Sequence, residues 1–224
     1  MAGSNSVDFI AYYSKNWSSF SDDGEHIRGS CYGKKIFGKT DGGISGWERI
    51  KSDLRTDRAT RRALLSFFDL ESGPTITRKD LACITSIQFL IRNDQLNCIA
   101  SLRSNDVIWG LCHDVFLITM LQERLACELG VALGWYEHHA ASMHLYSRHY
   151  EMANQIASQR LGLYSGMPPM NSVDSITKFL AVEQALRIGD PLGEKMAHSL
   201  PSYWRSLANS LVDLYKQKNC MAPA

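Results

Sequence analysis

Residues 81–104 read LACITSIQFLIRNDQLNCIASLRS, and this stretch decides the fold. Two runs rich in apolar and β-branched residues lie on either side of Asn93 and Asp94. An Asn-Asp pair between such runs is typical of a tight turn, because both residues tolerate the backbone conformations that a two-residue loop requires. The stretch therefore predicts a β-hairpin.

The sequence before the hairpin predicts loops, one helix and one strand. The glycine-rich segment 29–46, GSCYGKKIFGKTDGGISG, favours loops around one or two short strands. The helical spacing of Trp47, Ile50 and Leu54 predicts a short amphipathic helix. The run RALLSFFDL, residues 62–70, predicts a buried strand.

The longest helix is predicted after the hairpin. It begins near Asp114, runs through VFLITMLQERLACELG and stops at Gly130, since glycine readily ends a helix in the left-handed conformation. The segment is apolar on most faces, so we expect a central, buried helix. A strand around residues 137–146 follows, and then a helix over residues 147–160.

The C-terminal part of the chain is predicted to be helical. Pro168 and Pro169 mark a boundary, because proline cannot continue a helix. Two helical stretches lie beyond them, at residues 173–188 and 202–218. The fold class is therefore predicted as an α/β or α+β core over residues 1–160, followed by a helical extension over residues 161–224.

The composition excludes several classes of protein. The 224 residues include 24 Lys and Arg and 23 Asp and Glu, so no global charge would attract the chain to nucleic acid or to an anionic membrane. The longest apolar stretch, residues 115–121, is far shorter than the roughly 20 residues of a membrane helix, and the polar N-terminus has no signal-peptide character. We expect a cytoplasmic protein with no nucleic-acid or membrane partner.

The spacing of cysteine and histidine gives no sign of a metal site. The six cysteines include no Cys-x-x-Cys pair. Neither Cys112-His113 nor His138-His139 has the spacing of zinc ligands. We therefore expect reduced thiols and no bound metal.

Several separated motifs occur in a characteristic order. Cys83 heads a predicted strand that ends in Gln-Phe, the hairpin leads to RSNDVIWG at residues 103–110, and His-Leu-Tyr follows at residues 144–146. Cys-Tyr-Gly at residues 31–33 and the Arg61-Arg62 pair lie upstream. Together these blocks resemble the thymidylate synthase superfamily, and within it the pyrimidine hydroxymethylases. The resemblance implies a thymidylate synthase-like core sheet with a long buried helix.

The resemblance also implies roles for individual residues. Cys83 would be the nucleophile that adds to carbon 6 of a pyrimidine, while Asp106 and Tyr32 would organise water and the reacting ring. His144 and Tyr146, two apart on a predicted strand, would share a face and bind the sugar hydroxyl. The remaining substrate-binding positions that the resemblance implies are Arg61, Arg62, Arg103, Ser104, Asn105, Gly110 and Asp114.

The arginines among these positions form a candidate phosphate site. Guanidinium groups bind a phosphate dianion through paired, charge-assisted hydrogen bonds, and the Ser104 hydroxyl adds a donor. In the family the double arginine reaches across from the partner subunit, so the resemblance implies a homodimer with shared sites. Taken alone, surface arginines such as Arg61 and Arg62 are more often merely solvated.

Asp114 distinguishes two branches of the family. Thymidylate synthases carry asparagine at this position, and the cytosine-specific relatives carry aspartate. Cytosine presents an acceptor at ring nitrogen 3 and a donor at its amine, and a protonated carboxyl can satisfy both. From the residues alone, an alternative is that Asp114 caps the N-terminus of the helix that begins at Val115.

Two features depart from the family. The histidine that usually follows the nucleophile is Ile84 here, and the N-terminal family segment with its catalytic glutamate is expected to be missing. Glu183 and Glu194 could supply an acid instead, although carboxylates on predicted helices are more often solvated surface groups.

Three functions therefore stay open. The first is transfer of a hydroxymethyl group from 5,10-methylenetetrahydrofolate to a cytidine monophosphate, with dCMP favoured. The second is nucleotide binding without turnover, because loss of the glutamate would slow proton transfer. The third is a methyl transfer of the thymidylate synthase type, which Asp114 disfavours.

Overall fold

The computed structural model describes residues 2–39, 43–68, 77–159, 162 and 167–220. The chain divides into two compact units, Met1–Ser165 and Gly166–Ala224. The predicted domain boundary between residues 160 and 161 lies outside the described residues. Asp69 and Leu70, at the end of the predicted strand 62–70, also lie outside them.

The described residues of the first unit form two sheets. The main sheet contains β1 (Leu64–Ser66), β2 (Ile84–Arg92), β3 (Gln95–Leu102) and β5 (Ala132–Ala140), neighbours in that order. The first three strands pair antiparallel, whereas β5 pairs parallel with β3. Two short strands, β4 (Asn105–Asp106) and β6 (Met143–His144), pair parallel in a second sheet.

The predicted hairpin is confirmed in β2 and β3. Asn93 and Asp94 form its turn with φ of 51° and 57°, which asparagine and aspartate adopt more readily than most residues. The register pairs Arg92 with Gln95 at the turn. At the open end of the hairpin, the Arg103 N–H donates to the Cys83 carbonyl at 2.9 Å, so these two residues become neighbours.

In the described part of the first unit, five α-helices accompany the sheets: α1 (Val7–Tyr13), α2 (Tyr32–Phe37), α3 (Gly46–Thr56), α4 (Gly110–Leu129) and α5 (Tyr150–Ser158). Short 3-10 helices cover Lys15–Phe20 and Ser147–His149. The helix predicted from Trp47, Ile50 and Leu54 is confirmed as α3. Residues 40–42 lie outside the described residues, and the rest of the segment 29–46 forms no strand. Its apolar residue Ile36 instead belongs to α2 and is fully buried in the core.

Helix α4 corrects the sequence prediction in two ways. It begins at Gly110, four residues before the predicted start, because the Asp106 carboxylate accepts the backbone N–H groups of Trp109 and Gly110 at 2.8 and 3.4 Å. Only one side of the helix is buried in this chain, while Phe116 on the other side is 54% exposed. The predicted end is confirmed, since Gly130 closes the helix with φ of 66°.

The strand predicted over residues 137–146 is two strands with a break between them. β5 starts earlier and ends at Ala140, and β6 begins at Met143. Across the break, the Ala141 N–H donates to the Leu102 carbonyl, and the Ser142 carbonyl accepts the Asn105 N–H. The chain thus passes from the main sheet to the second sheet at this point.

The core of the first unit lies on one face of the main sheet. Trp47, Ile50 and Leu54 of α3 pack there, together with Ile118, Leu121 and Leu125 of α4, against the buried side chains of β2 and β3. The opposite face carries Leu133 and Trp135 of β5, which are 52% and 49% exposed in this chain. Among the described residues of the first unit, the apolar core therefore covers one face of the main sheet.

The second unit contains α6 (Ile176–Arg187), α7 (Leu192–His198) and α8 (Ser202–Cys220). Buried Trp204 organises it: its ring lies 5.4 Å from the Phe179 ring, and its Nε1 donates to the Ser172 carbonyl at 3.0 Å. Both predicted helices are confirmed, and α7 was not predicted because it is only 7 residues long. Within the described residues, no helix combines the length and the apolar character that crossing a bilayer requires.

Candidate active site

Cys83 lies immediately before β2 and is half-buried. Its backbone N–H and that of Ile84 both donate to the Tyr32 hydroxyl oxygen, each at 3.0 Å. Tyr32 is the buried first residue of α2, and its ring packs edge-on to Phe67 with centroids 5.2 Å apart. Burial raises the pKa of the Tyr32 hydroxyl, which therefore stays protonated. The structure thus brings together the predicted catalytic residues Cys83 and Tyr32.

Arg103 lies on the other side of Cys83. Its guanidinium donates to the carbonyls of Leu81 and Ala82 at 3.0 and 2.9 Å, and Nη2 lies 3.8 Å from Cys83 Sγ. Burial raises the pKa of the Cys83 thiol, and the positive charge of Arg103 opposes this rise. Arg103 also lines a surface cavity of about 470 Å³ with Thr85 and neighbouring residues of β3 and β5. The guanidinium is therefore held beside the nucleophile.

Buried Asp80 holds the segment that carries Tyr32. Its carboxylate accepts the N–H groups of Gly29 and Ser30 at 2.7 and 2.8 Å and the Ser30 hydroxyl at 2.6 Å. A Cβ on Gly29 would lie 2.7 Å from the Asp80 carbonyl oxygen, so only glycine permits this approach. Asp80 was not predicted as a site residue, because its partners lie about 50 residues away along the chain.

Asp114 lies in the second turn of α4, at the start of the helix face that buries Ile118 and Leu121. Its Oδ2 accepts the Nδ2 amide of buried Asn105 at 2.7 Å. Burial raises the pKa of the Asp114 carboxyl to about 6, even though the hydrogen bond from Asn105 acts to lower it. The helix-cap alternative for Asp114 is wrong, since Asp114 lies inside α4 and its carboxylate accepts from the Asn105 side chain.

Two residues of β5 extend this contact. His138 Nε2 lies 3.2 Å from Asn105 Oδ1, and His138 Nδ1 lies 2.5 Å from the Tyr136 hydroxyl. Burial lowers the pKa of His138, with a further contribution from neighbouring His139, so its ring is neutral. Neither Tyr136 nor His138 was predicted as a site residue. Their i, i+2 spacing on a strand is the signal that could have placed them on one face.

Asp106 and Trp109 lie where β4 leads into α4. Burial acts to raise the pKa of Asp106, but the N–H groups of Trp109, Ile108 and Gly110 outweigh it, and the net shift is downward. Asp106 Oδ1 is buried without a hydrogen-bond partner among the described residues. Trp109 is 46% exposed. A Cβ on Gly110 would lie 3.0 Å from Asn105 Nδ2, so glycine leaves room for the Asn105 side chain.

His144 and Tyr146 meet through their rings, with centroids 4.8 Å apart and nearly perpendicular planes. The expectation that both lie on one strand is wrong, because β6 ends at His144 and Tyr146 precedes the following 3-10 helix. The Arg148 guanidinium lies over the Tyr146 ring at 4.4 Å. The rings of the two predicted sugar-binding side chains are therefore in contact, although the two residues do not lie on one strand.

Arg61 and Arg62 lie apart from Cys83. The Arg61 carbonyl accepts the Gln88 side-chain amide at 2.8 Å, and Gln88 is five residues along the extended chain from Cys83, about 17 Å away. Both arginine side chains are exposed, and neither forms an ion pair with a described residue. Ser104, by contrast, directly follows Arg103 and is half-buried. The phosphate site predicted from the sequence is thus only partly assembled within one chain.

The carboxylates considered as replacements for the family's glutamate lie in the second unit. Glu183 is buried there and pairs with Arg187 at 2.8 Å, four residues along α6. Glu194 pairs with Lys216 at 3.0 Å. Both carboxylates therefore have structural partners of their own.

Comparisons with known proteins identify the family of the chain. The family model for thymidylate synthase matches residues 1–180. Two relatives are named deoxyuridylate hydroxymethyltransferase. The one from Bacillus phage SP01 is 31% identical over 163 residues, which cover 65% of this chain and 40% of the relative. The one from Pseudomonas phage M6 is 30% identical over 162 residues, which cover 70% of this chain and 44% of the relative. The chain spans about half the length of the curated relatives it matches.

A solved structure gives the same result for the fold. The thermostable thymidylate synthase A of Bacillus subtilis superposes with a TM-score of 0.63 at 20% identity, covering 76% of this chain and 63% of that protein. At this identity the similarity concerns the fold alone. Together with the family model, which matches most of the chain, it leads to one conclusion: the chain belongs to the thymidylate synthase family.

Proposed function

We propose that this chain transfers a hydroxymethyl group to carbon 5 of a pyrimidine nucleoside monophosphate, with dCMP as the favoured substrate. The observation that carries the proposal is the surroundings of Cys83, whose backbone is bound by Tyr32 and whose sulfur lies 3.8 Å from the Arg103 guanidinium. The phage relatives named hydroxymethyltransferases support the reaction type.

Cys83 supplies the covalent step. Its thiolate adds to carbon 6 of the pyrimidine, and the π electron pair of the C5–C6 bond moves to carbon 5, which then attacks a one-carbon donor. After that attack, the carbon 5 proton would leave and its electron pair would expel the carrier's nitrogen from the transferred carbon, which leaves an exocyclic methylene on carbon 5. Water would then add to the methylene carbon, supply the hydroxyl oxygen and release a proton, and the electron pair that returns to the C5–C6 bond expels the thiolate. Arg103 stabilises the thiolate, against the burial that raises the pKa of the Cys83 thiol.

The cofactor of the proposed reaction is 5,10-methylenetetrahydrofolate, which supplies a carbon at the oxidation level of formaldehyde when bound. The residues present fit its pterin ring. Asp106 Oδ1 has no partner among the described residues and can accept N–H donors, while the exposed Trp109 indole offers a flat apolar face. Asp106 and Trp109 are therefore the residues that would hold it.

Asp114 supports cytosine as the base. Its burial raises the pKa of the carboxyl to about 6, toward the protonated form that can donate to ring nitrogen 3 while accepting from the exocyclic amine. The relatives are named for deoxyuridylate, which makes dUMP the second candidate substrate. The two candidates differ in the order of donor and acceptor on the base, so binding of the two nucleotides separates them.

The phosphate site is proposed to form between two copies of the chain. Arg103 and Ser104 lie by Cys83, whereas Arg61 and Arg62 lie too far from the Cys83 of their own chain to share its phosphate. The exposed Leu133 and Trp135 on the open face of the main sheet support a homodimer, since burial of large apolar side chains drives association.

The test is exchange of the hydrogen on carbon 5 of the nucleotide. A competent Cys83 labilises this hydrogen, so tritium should be released from carbon-5-labelled dCMP, and hydroxymethyl product should appear when the folate is added. Cys83→Ser should abolish both, whereas Cys220→Ser, at an exposed position in the second unit, should change neither. Tight dCMP binding with no release above the Cys83→Ser background would instead favour nucleotide binding without turnover.

Binding of dCMP and dUMP tests which base the protein recognises. Calorimetry should rank dCMP above dUMP, and Asp114→Asn should shift the preference toward dUMP by about three- to tenfold, the effect of one buried hydrogen bond. Equal affinities in the unmodified protein would refute recognition of cytosine by Asp114. A preference for dUMP that Asp114→Asn leaves unchanged would make dUMP the substrate.

A further inference from the structure

Four side chains from three separate elements form one hydrogen-bonded relay. Tyr136 and His138 lie on β5, Asn105 on β4 and Asp114 on α4. The three contacts that join them measure 2.5 Å between Tyr136 and His138, 3.2 Å between His138 and Asn105, and 2.7 Å between Asn105 and Asp114. The relay therefore ends on the carboxyl that is proposed to read the base.

The direction of the relay follows from the chemistry of its ends. An ionised carboxylate can only accept, so the Asn105 amide nitrogen must face Asp114 and its oxygen must face His138. His138 Nε2 then carries the ring hydrogen. Because the ring is neutral, Nδ1 has a lone pair and accepts from the Tyr136 hydroxyl. Each of the three contacts then joins one donor to one acceptor.

Asn105 is held in place in two further ways, through its backbone and through the packing of its side chain. Its backbone N–H donates to the Ser142 carbonyl at 2.8 Å, and the side chain is buried. Gly110 lies against Asn105 Nδ2, and the space left by the missing Cβ admits the amide. Rotation of this amide by 180° would place its oxygen against the Asp114 carboxylate, so the relay and the packing both favour one orientation.

This orientation limits where Asp114 can carry a proton. The Asn105 N–H points at Oδ2, so the proton of the neutral carboxyl is confined to Oδ1. Cytosine and uracil present opposite orders of donor and acceptor at ring nitrogen 3 and at the substituent on carbon 4. A carboxyl that could place its proton on either oxygen would match both bases. A carboxyl with one fixed proton position matches only one of them.

We propose that Tyr136, His138 and Asn105 are positioning residues that set base specificity, because their relay fixes which oxygen of Asp114 carries the proton. This inference rests on the proposed function, in which Asp114 reads the base. It concerns discrimination between two bases and not the strength of nucleotide binding as such.

The experiment compares dCMP and dUMP affinities, measured by calorimetry, in the full chain. Tyr136→Phe removes only the hydroxyl that fixes the His138 tautomer, and His138→Phe removes the contact to Asn105. In both variants the ratio of the two affinities should fall about three- to tenfold toward unity, as expected for loss of one buried hydrogen bond. Tyr150→Phe, which removes an exposed hydroxyl on α5, is the matched control and should keep the ratio of the unmodified protein.

Two outcomes would count against the inference and are distinguishable. If both variants melt as cooperatively as the unmodified protein and bind dCMP and dUMP more weakly by the same factor, the relay only supports the structure, and the inference is overturned while the proposed function stands. If the unmodified protein binds neither nucleotide, the proposed function itself fails. If it binds both equally, recognition of the base by Asp114 fails and the inference is overturned with it. Tyr136→Phe conserves shape, so it keeps the test available even if His138→Phe does not fold.

Discussion

At the scale of single residues, Asp114 lowers the stability of the fold at a position that the proposed chemistry uses. It occupies the first position of the buried face of α4, where Ile118 and Leu121 follow. A carboxyl in this place loses hydration, and its hydrogen bond from Asn105 does not fully compensate, since the pKa is raised to about 6. Such a residue destabilises the fold whenever it is ionised.

The expected consequence is a change of stability with pH. Between pH 4 and 6 the unfolded chain ionises Asp114 while the folded chain keeps the proton, so this contribution to stability is present below pH 4 and lost as the pH rises through 6. The Asp114→Asn variant has no carboxyl at this position, so it does not lose this contribution to stability as the pH rises. The free energy of unfolding of the variant, relative to the unmodified protein, should therefore increase by about 1–2 kcal/mol between pH 4 and 7.

Urea unfolding at a series of pH values measures this difference. Asp213→Asn, at an exposed position of α8, is the control and should show no such trend. A constant difference for Asp114→Asn across the pH range would show that burial does not raise the pKa of Asp114.

At the scale of elements, α3 and α4 are joined by a charged cluster around Glu128. Its carboxylate accepts Trp47 Nε1 at 3.1 Å and Arg124 Nε at 2.7 Å, and Lys51 Nζ lies 3.2 Å away. The Arg124 guanidinium in turn lies over the rings of Phe37 and Trp47, 4.9 Å from each centroid. Burial acts to raise the pKa of Glu128, but Arg124 and the other donors hold it below its ordinary value.

Glu128→Gln is expected to lower the free energy of unfolding at pH 7 by about 2 kcal/mol, because charged hydrogen bonds are lost where the side chain is only 9% exposed. Since the pKa of Glu128 is lowered, its contribution is present above pH 4.5 and is lost as the pH falls through the folded value. The difference in free energy of unfolding between Glu128→Gln and the unmodified protein should therefore become smaller at acidic pH.

Glu48→Gln is the control. It breaks a contact of 2.7 Å to the same Lys51 from a side chain that is 52% exposed, and it should lower the free energy of unfolding by less than about 0.5 kcal/mol. Equal losses in the two variants would refute the role of the buried cluster.

At the scale of the whole molecule, the proposed site needs two chains. Sedimentation should show a dimer at micromolar concentration. Chains with Arg62→Ala and chains with Cys83→Ala should each be inactive alone. An equal mixture of the two should regain about a quarter of the unmodified protein's activity per site. The reason is that half of the dimers are then mixed, and a mixed dimer contains one site with both residues intact. A monomer that binds nucleotide normally, or a mixture that stays inactive although mixed dimers form, would contradict shared sites.

The sequence predicted much of the first unit for local reasons. The hairpin of β2 and β3 follows from two apolar runs around Asn93 and Asp94, and its register alone brings Arg103 beside Cys83. Helix α3 follows from the spacing of three apolar residues. In each case the deciding residues lie close together in the chain, so their periodicity and turn chemistry determine the result. The resemblance to the thymidylate synthase superfamily, read from separated motifs, is likewise confirmed.

The sequence by itself thus determined the hairpin, the long helix with its glycine stop, and the neighbourhood of Cys83 and Arg103. The start of α4 was mispredicted although its determinant is local, because Asp106 binds N–H groups only three and four residues ahead of it. Only the tertiary structure decided the break between β5 and β6 and the relay from Tyr136 through His138 and Asn105 to Asp114. The relay joins residues up to 33 positions apart. Such contacts form only when separate elements pack, because no local pattern specifies which buried polar groups will meet.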